Sequence, residues 1–193
     1  MHKVIIVPGL SDNDKGIRWA TKHWKKYGLD VVCFPSGWQT DEDFQDKLKR
    51  LISLIEKFIG EGDKVSLVGT SAGGSLVLNA FLKRRKEISK VVNICGRLRK
   101  GNEKGFRSFK TRTQSSNSFR ESVQSFERRE SLLTVSDRKK IMIITPKYGD
   151  ELVPYDTAIL AGAYNLKIPT IEHVFSIGIA LRFFKPILCH IAS

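Results

Sequence analysis

Apolar residues fall along this chain in two alternating patterns. Short unbroken runs, "HKVIIVPG", "LDVVCFP", "DKVSLVG", "SKVVNICG" and "KKIMIITPK", are rich in β-branched residues and read as buried strands. Between them the apolar positions recur at helical spacing. "KGIRWATKHWKKYG" predicts a helix that stops at Gly28. "TDEDFQDKLKRLISLIEKFIG" predicts a long one with Phe44, Leu48, Leu51, Ile52, Ile55 and Ile59 on one face, Thr40 as N-cap and Gly60 at its end. A third helix runs from Ala72 to about Arg85, and "VPYDTAILAGAYN" reads as a short one. "LKIPTIE" is a weak sixth strand because it contains a proline, and one last helix takes roughly the final twenty residues. Strands alternating with helices mean a parallel sheet covered on both faces, so the expected class is α/β, a three-layer sandwich.

The 193 residues are expected to form a single domain, 1–193, with a core of ordinary proportions: 41% of residues are hydrophobic and 27% charged. The net charge of +13 is unusual. Residues 97–140 hold 13 Lys and Arg against 5 Asp and Glu, so the excess is concentrated in one segment. We read about 97–138 as a basic insert, flexible in part, with a short helix around "SFRESVQSFERRES". Such a segment is either a solvated cationic loop or a site that attracts nucleic acid, an acidic membrane surface or an anionic substrate. Its Phe106, Phe109, Phe119 and Phe126 fit an apolar flap over the site, with stacking on bases as the alternative.

Cys33, Cys95 and Cys189 are odd in number and widely spaced, which suggests neither a disulfide framework nor a zinc site and implies a reducing, cytoplasmic setting. Val4–Val7 is too short for a signal peptide. The C-terminal stretch "VFSIGIALRFFKPILCHIA" is interrupted by Arg182, Lys185, Pro186 and His190, so no transmembrane segment is expected; a helix lying on a membrane surface is the alternative to one lying on the core.

Candidate chemistry centres on "VSLVGTSAGGSLVLNAFL", where a strand turns through small residues into a helix. A phosphate cradle fits poorly: Gly74 is followed by Ser75 with no lysine, and position 71 is serine where a dinucleotide fingerprint needs glycine. Gly69-Thr70-Ser71-Ala72-Gly73 instead supplies G-x-S-x-G between a strand and a helix, the turn that exposes a nucleophilic serine. A serine hydroxyl needs a base to take its proton. Of the four histidines, His2, His23 and His190 lie at a strand start or within helices, and only His173 falls between a strand and the following helix. The imidazole needs a carboxylate, and Asp150 stands in the loop after the fifth strand. Glu151 and Asp156 compete with it, but Asp156 belongs to the first turn of the helix that Pro154 begins, and Glu151 should point elsewhere. The backbone N–H groups of Ala72 and Leu10 are the candidate oxyanion donors. Asp12, Asn13 and Asp14 read as caps of the first helix, and Trp38 as a candidate pocket residue.

"VIIVPG", "GTSAGG", "YGDELVP" and "EHVFS" together resemble the α/β-hydrolases, most nearly the small group that includes the retinoblastoma-binding serine hydrolases. The resemblance covers nearly the full length. It implies a minimal fold with a six-stranded, mostly parallel sheet in the order 2-1-3-4-5-6, no large lid, and hydrolysis of a carboxylic ester, thioester or amide. Glu172 departs from the glycine usual before the histidine, and the basic segment matches nothing in the group. The expected function is therefore a serine hydrolase acting on a small-molecule acyl substrate, with Ser71, His173 and Asp150 as triad and with no metal or organic cofactor. The alternative is a binding protein on a hydrolase scaffold that docks an anionic partner through its basic segment.

Overall fold

Along each central strand, successive side chains enter two different cores, because a strand covered on both faces has no solvent side. In the first strand, β1 (His2–Val7), Ile5 and Val7 join one apolar cluster while Val4 and Ile6 join the other. In β5 (Ile141–Pro146), Ile141 and Ile143 face the first cluster, Met142 and Ile144 the second. With β2 (Leu29–Cys33), β3 (Lys64–Thr70), β4 (Ile88–Ile94) and β6 (Tyr164–Ile168) they form one sheet in the order 2-1-3-4-5-6, every neighbouring pair parallel. The structure is a computed structural model describing residues 1–193.

One face is covered by α2 (Phe44–Gly60), α3 (Gly73–Arg84) and α5 (Asn117–Arg129). The other is covered by α1 (Asp14–Thr21), a 3-10 turn at Lys22–Tyr27, α8 (His173–Phe183) and α9 (Lys185–Ala192). Truncating any fully buried strand residue, Ile5→Ala for example, removes packing on the order of 2–5 kcal/mol.

Local chemistry departs from expectation at three places. Asn13 caps α1, but Asp12 does not: its backbone turns to a φ of 46° and its carboxylate accepts from the N–H groups of Ser36, Gly37 and Trp38, tying the loop after β1 to the loop after β2. Asp43, not Thr40, caps α2 by accepting from Asp46 N–H; Thr40 instead holds the buried Lys47 ammonium together with the Gly37 carbonyl. The C-terminal helix is two helices bent by 57°, because Pro186 lacks the N–H that would continue α8 and its ring conflicts with the preceding turn. No single helix is long and apolar enough to cross a membrane.

The basic segment is helical. It contains α4 (Phe109–Thr113), α5 and α6 (Val135–Arg138). Phe119, Val123 and Phe126 are core residues, Phe109 packs partly against them, and only Phe106 stands in solvent, so neither a four-phenylalanine flap nor a base-stacking surface forms. Arg97, 1% exposed, donates to the carbonyls of Arg99, Lys100 and Arg107 and lies over the Phe109 ring. A buried guanidinium with five donors can satisfy several carbonyls of an irregular chain at once, which fixes a stretch that composition alone would leave mobile.

Candidate active site

Ser71 sits in the turn between β3 and α3 with a φ of 53°, left-handed for a non-glycine residue. A Cβ at Gly69 would come within 2.5 Å of the Gly73 carbonyl oxygen, and one at Gly73 would fall on the Val7 carbonyl. The two glycines of the motif are therefore steric requirements of a turn pressed against its own helix and against β1. Ser71 N–H donates to the Ile94 carbonyl at 2.9 Å and its own carbonyl accepts from Gly74 N–H at 3.0 Å, which anchors the turn to β4 and to α3.

The loop after β5 brings Asp150 to the same rim. One carboxylate oxygen accepts from Leu152 and Val153 N–H, both at 2.9 Å, and these bonds aim the other oxygen at His173. His173 is the first residue of α8 and is 2% exposed. Its Nδ1 lies 2.8 Å from Asp150 Oδ2 and its Nε2 lies 2.8 Å from Ser71 Oγ. The bonding pattern sets the tautomer: Nδ1–H donates to the carboxylate, and Nε2 accepts from the serine hydroxyl.

Two further carboxylates hold the first turn of α8. Glu151 points away from the ring and accepts from His173 N–H at 3.0 Å. Glu172, at a φ of 73°, caps α8 by accepting from Val174 N–H at 3.0 Å and Phe175 N–H at 2.6 Å. Those two N–H groups hold the Glu172 carboxyl below the usual carboxylate range. The positive φ explains why glycine would suit position 172, and the capping bonds offset the strain that glutamate incurs there. Nothing in the local residue spacing signals this paired cap.

The remaining candidates lie as follows. Leu10 lines the cavity above Ser71, Ala72 is buried beneath it, and neither backbone N–H has a backbone acceptor. Trp38 is 1% exposed and donates from Nε1 to the Pro8 carbonyl; it stands behind the loop after β1 and outside the cavity that contains Ser71. Asp156 is in the first turn of α7 (Tyr155–Ala158). His2 bonds to Ser66, and His190 to the Lys140 carbonyl, far along the fold from this rim.

Cys95, just past β4, places its sulfur within 4.8 Å of Asp150 and His173 donor atoms. Burial, with the charges of Asp150, Glu151 and Glu172, pushes its thiol well above the usual range. A neutral thiol is a poor nucleophile and a poor metal ligand, and both imidazole nitrogens already have partners, so this trio does not suit a metal ion.

The cavity at Ser71 has a volume of about 430 Å³. Its apolar wall comes from α1 and α8 through Ile17, Ala20, Ile177 and Leu181, and the exposed Trp19 and half-buried Arg112 also line it. Arg112 went unnoticed in the sequence because a lone arginine in an arginine-rich stretch carries no signal.

No protein-family model matches the chain, and no curated protein matches it. Solved structures do. A lipase of Bacillus licheniformis superposes with a TM-score of 0.71 at 18% identity, covering 97% of this chain and 91% of that one. The monoacylglycerol lipase of Paleococcus ferrophilus gives 0.68 at 15% identity, covering 98% and 93%. A thioesterase domain from the curacin biosynthetic pathway gives 0.65 at 10% identity, covering 100% and 91%. Together with the strand order and the helices on both faces, these likenesses establish that the chain has the α/β-hydrolase fold.

Proposed function

We propose that this chain is a serine hydrolase that cleaves a carboxylic ester, thioester or amide through an acyl-enzyme, akin to the small hydrolases of the retinoblastoma-binding group. The observation that carries the reading is the unbroken hydrogen-bonded line from Ser71 Oγ through the His173 ring to Asp150, with both links at 2.8 Å. His173 Nε2 takes the hydroxyl proton as Ser71 Oγ bonds to the acyl carbon, and returns it to the departing group. Asp150 stabilises the imidazolium in between. The free N–H groups of Leu10 and Ala72 are suited to receive the carbonyl oxygen as it gains charge, a contribution of about 2.7–4 kcal/mol per donor in comparable sites. Water then attacks the acyl-enzyme by the same proton relay in reverse. The likeness to a lipase and a thioesterase supports acyl transfer as the reaction class.

A fluorophosphonate probe tests the proposal. Stoichiometric labelling at Ser71, abolished in Ser71→Ala and strongly slowed in His173→Ala, is the expected result. A folded protein that remains unlabelled would overturn it.

A further inference from the structure

The cavity at Ser71 is not uniform in chemistry. On the side of α1 and α8 its wall is apolar: Ile17, Ala20, Ile177 and Leu181, with Val174 and Gly178 nearer the opening. From Val174 to Leu181 the α8 wall runs two turns, roughly 10 Å. Arg112, carried by α4 of the basic segment, also lines the cavity.

Arg112 is a half-buried cation with no carboxylate partner. The ion pairs of this segment use Arg85, Arg99 and Arg138, and none reaches Arg112, whose guanidinium lies 4.9 Å from the centre of the exposed Phe106 ring. Burial lowers the pKa of the neighbouring Arg97; the charges of Asp156 and Glu103 oppose that shift, and those of Arg107 and Arg112 add to it by less. Arg107 Nε is itself buried without a hydrogen-bond partner. A half-buried guanidinium without a carboxylate partner on the wall of a reaction cavity is suited to hold an anion.

On the hydrolase reading given above, we infer that the substrate is an amphiphilic acyl ester or thioester with an apolar acyl chain of medium length and an anionic leaving group. The chain lies in the α1/α8 groove and Arg112 holds the anion. The acyl half is assigned to the groove because it stays attached to Ser71 through the second step and gains from burial, whereas the leaving half must reach solvent past an open rim. In the first step the bond from the acyl carbon to the leaving oxygen or sulfur breaks as the bond to Ser71 Oγ forms, and the departing atom takes the proton held by His173. Water supplies the atoms for deacylation, so no other reactant is needed.

The test compares two octanoyl esters of similar reactivity, one of 4-hydroxybenzoate, whose leaving group is anionic, and one of the neutral 4-hydroxybenzamide. The expected kcat/KM ratio favours the anionic ester by about tenfold at low salt and shrinks as salt is raised. In Arg112→Gln the ratio falls to near one; in Arg112→Lys it is partly kept; in Lys83→Gln, an exposed change at the end of α3, it stays as in the parent. A Cβ at Gly178 meets nothing within 4 Å, so Gly178→Leu is free to project into the groove and should shift the preferred acyl chain to shorter lengths. Equal rates for the two esters, a ratio unmoved by Arg112→Gln, or a preference for an anion placed at the end of the acyl chain would overturn the inference. So would labelling of Ser71 by fluorophosphonate with no turnover of either ester, which would leave the hydrolase reading standing. Failure of the label itself would instead remove the hydrolase reading.

Discussion

His173 Nε2 lies 2.8 Å from Ser71 Oγ across 102 residues of chain, and each side chain is placed by backbone bonds that owe nothing to the other. Ser71 is fixed by β4 and the start of α3, His173 by the acidic caps of α8. The pair is thus preorganised, and removing one member should leave the other in position.

Ser71→Ala and Ser71→Gly should both abolish turnover, but they should differ in stability. A left-handed conformation costs a non-glycine residue roughly 1–2 kcal/mol, so Ser71→Gly should melt above Ser71→Ala by a few degrees. Thermal melts of the two variants check this, and equal melting temperatures would mean the turn stores no such strain.

Asp150→Asn keeps the size of the side chain but can leave the imidazole in the wrong tautomer. A fall in kcat on the order of 10³–10⁴ is expected with an unchanged fold, read from steady-state kinetics and circular dichroism.

Glu172→Gln should lower the melting temperature near neutral pH, because the carboxylate complements the N-terminus of α8. The Glu172 carboxyl lies below its unfolded value, so its stabilisation is present above that value, near 4.3, and is lost as pH falls through the folded one. Melting curves of parent and variant should therefore converge in acid; a gap that persists at low pH would count against the cap.

Histidines govern a different window. Burial, with the charges of Lys64 and the N-terminus, lowers His2 to about 4, and burial also lowers His190 and His23. Between the unfolded value of about 6.5 and the folded values the unfolded chain binds more protons, so stability falls as pH drops from about 6.5 toward 4. Denaturant titrations across that range should show the decline, and His2→Gln should flatten part of it.

Arg97→Met would leave the carbonyls of Arg99, Lys100 and Arg107 without their buried donor, at a cost of at least about 2 kcal/mol. Hydrogen exchange should quicken in residues 98–108 before it does in the sheet. Uniform exchange would show that other contacts order the segment.

The strand runs and the three residues that meet at the rim were legible in the chain, because each depends on local pattern, whereas the sheet order was expected only from the family resemblance. A buried parallel strand must be apolar on both faces, an exposed serine in a tight turn must have glycines beside it, and the catalytic candidates must follow strand ends. Helix boundaries were less legible: Asp43 outcompeted Thr40 as cap, and Pro186 divided the last helix. What only the tertiary structure decided was whatever depends on which distant residues become neighbours. Asp12 turned from helix cap to loop brace, Glu151 and Glu172 became the clamp on α8, Phe119 and Phe126 went into the core, and Arg112 came to line the cavity at Ser71 without a carboxylate partner. The reason is range. Periodicity and turn chemistry act over a few residues, whereas the charge balance and polarity of a cavity are set by side chains that meet only once the sheet has formed.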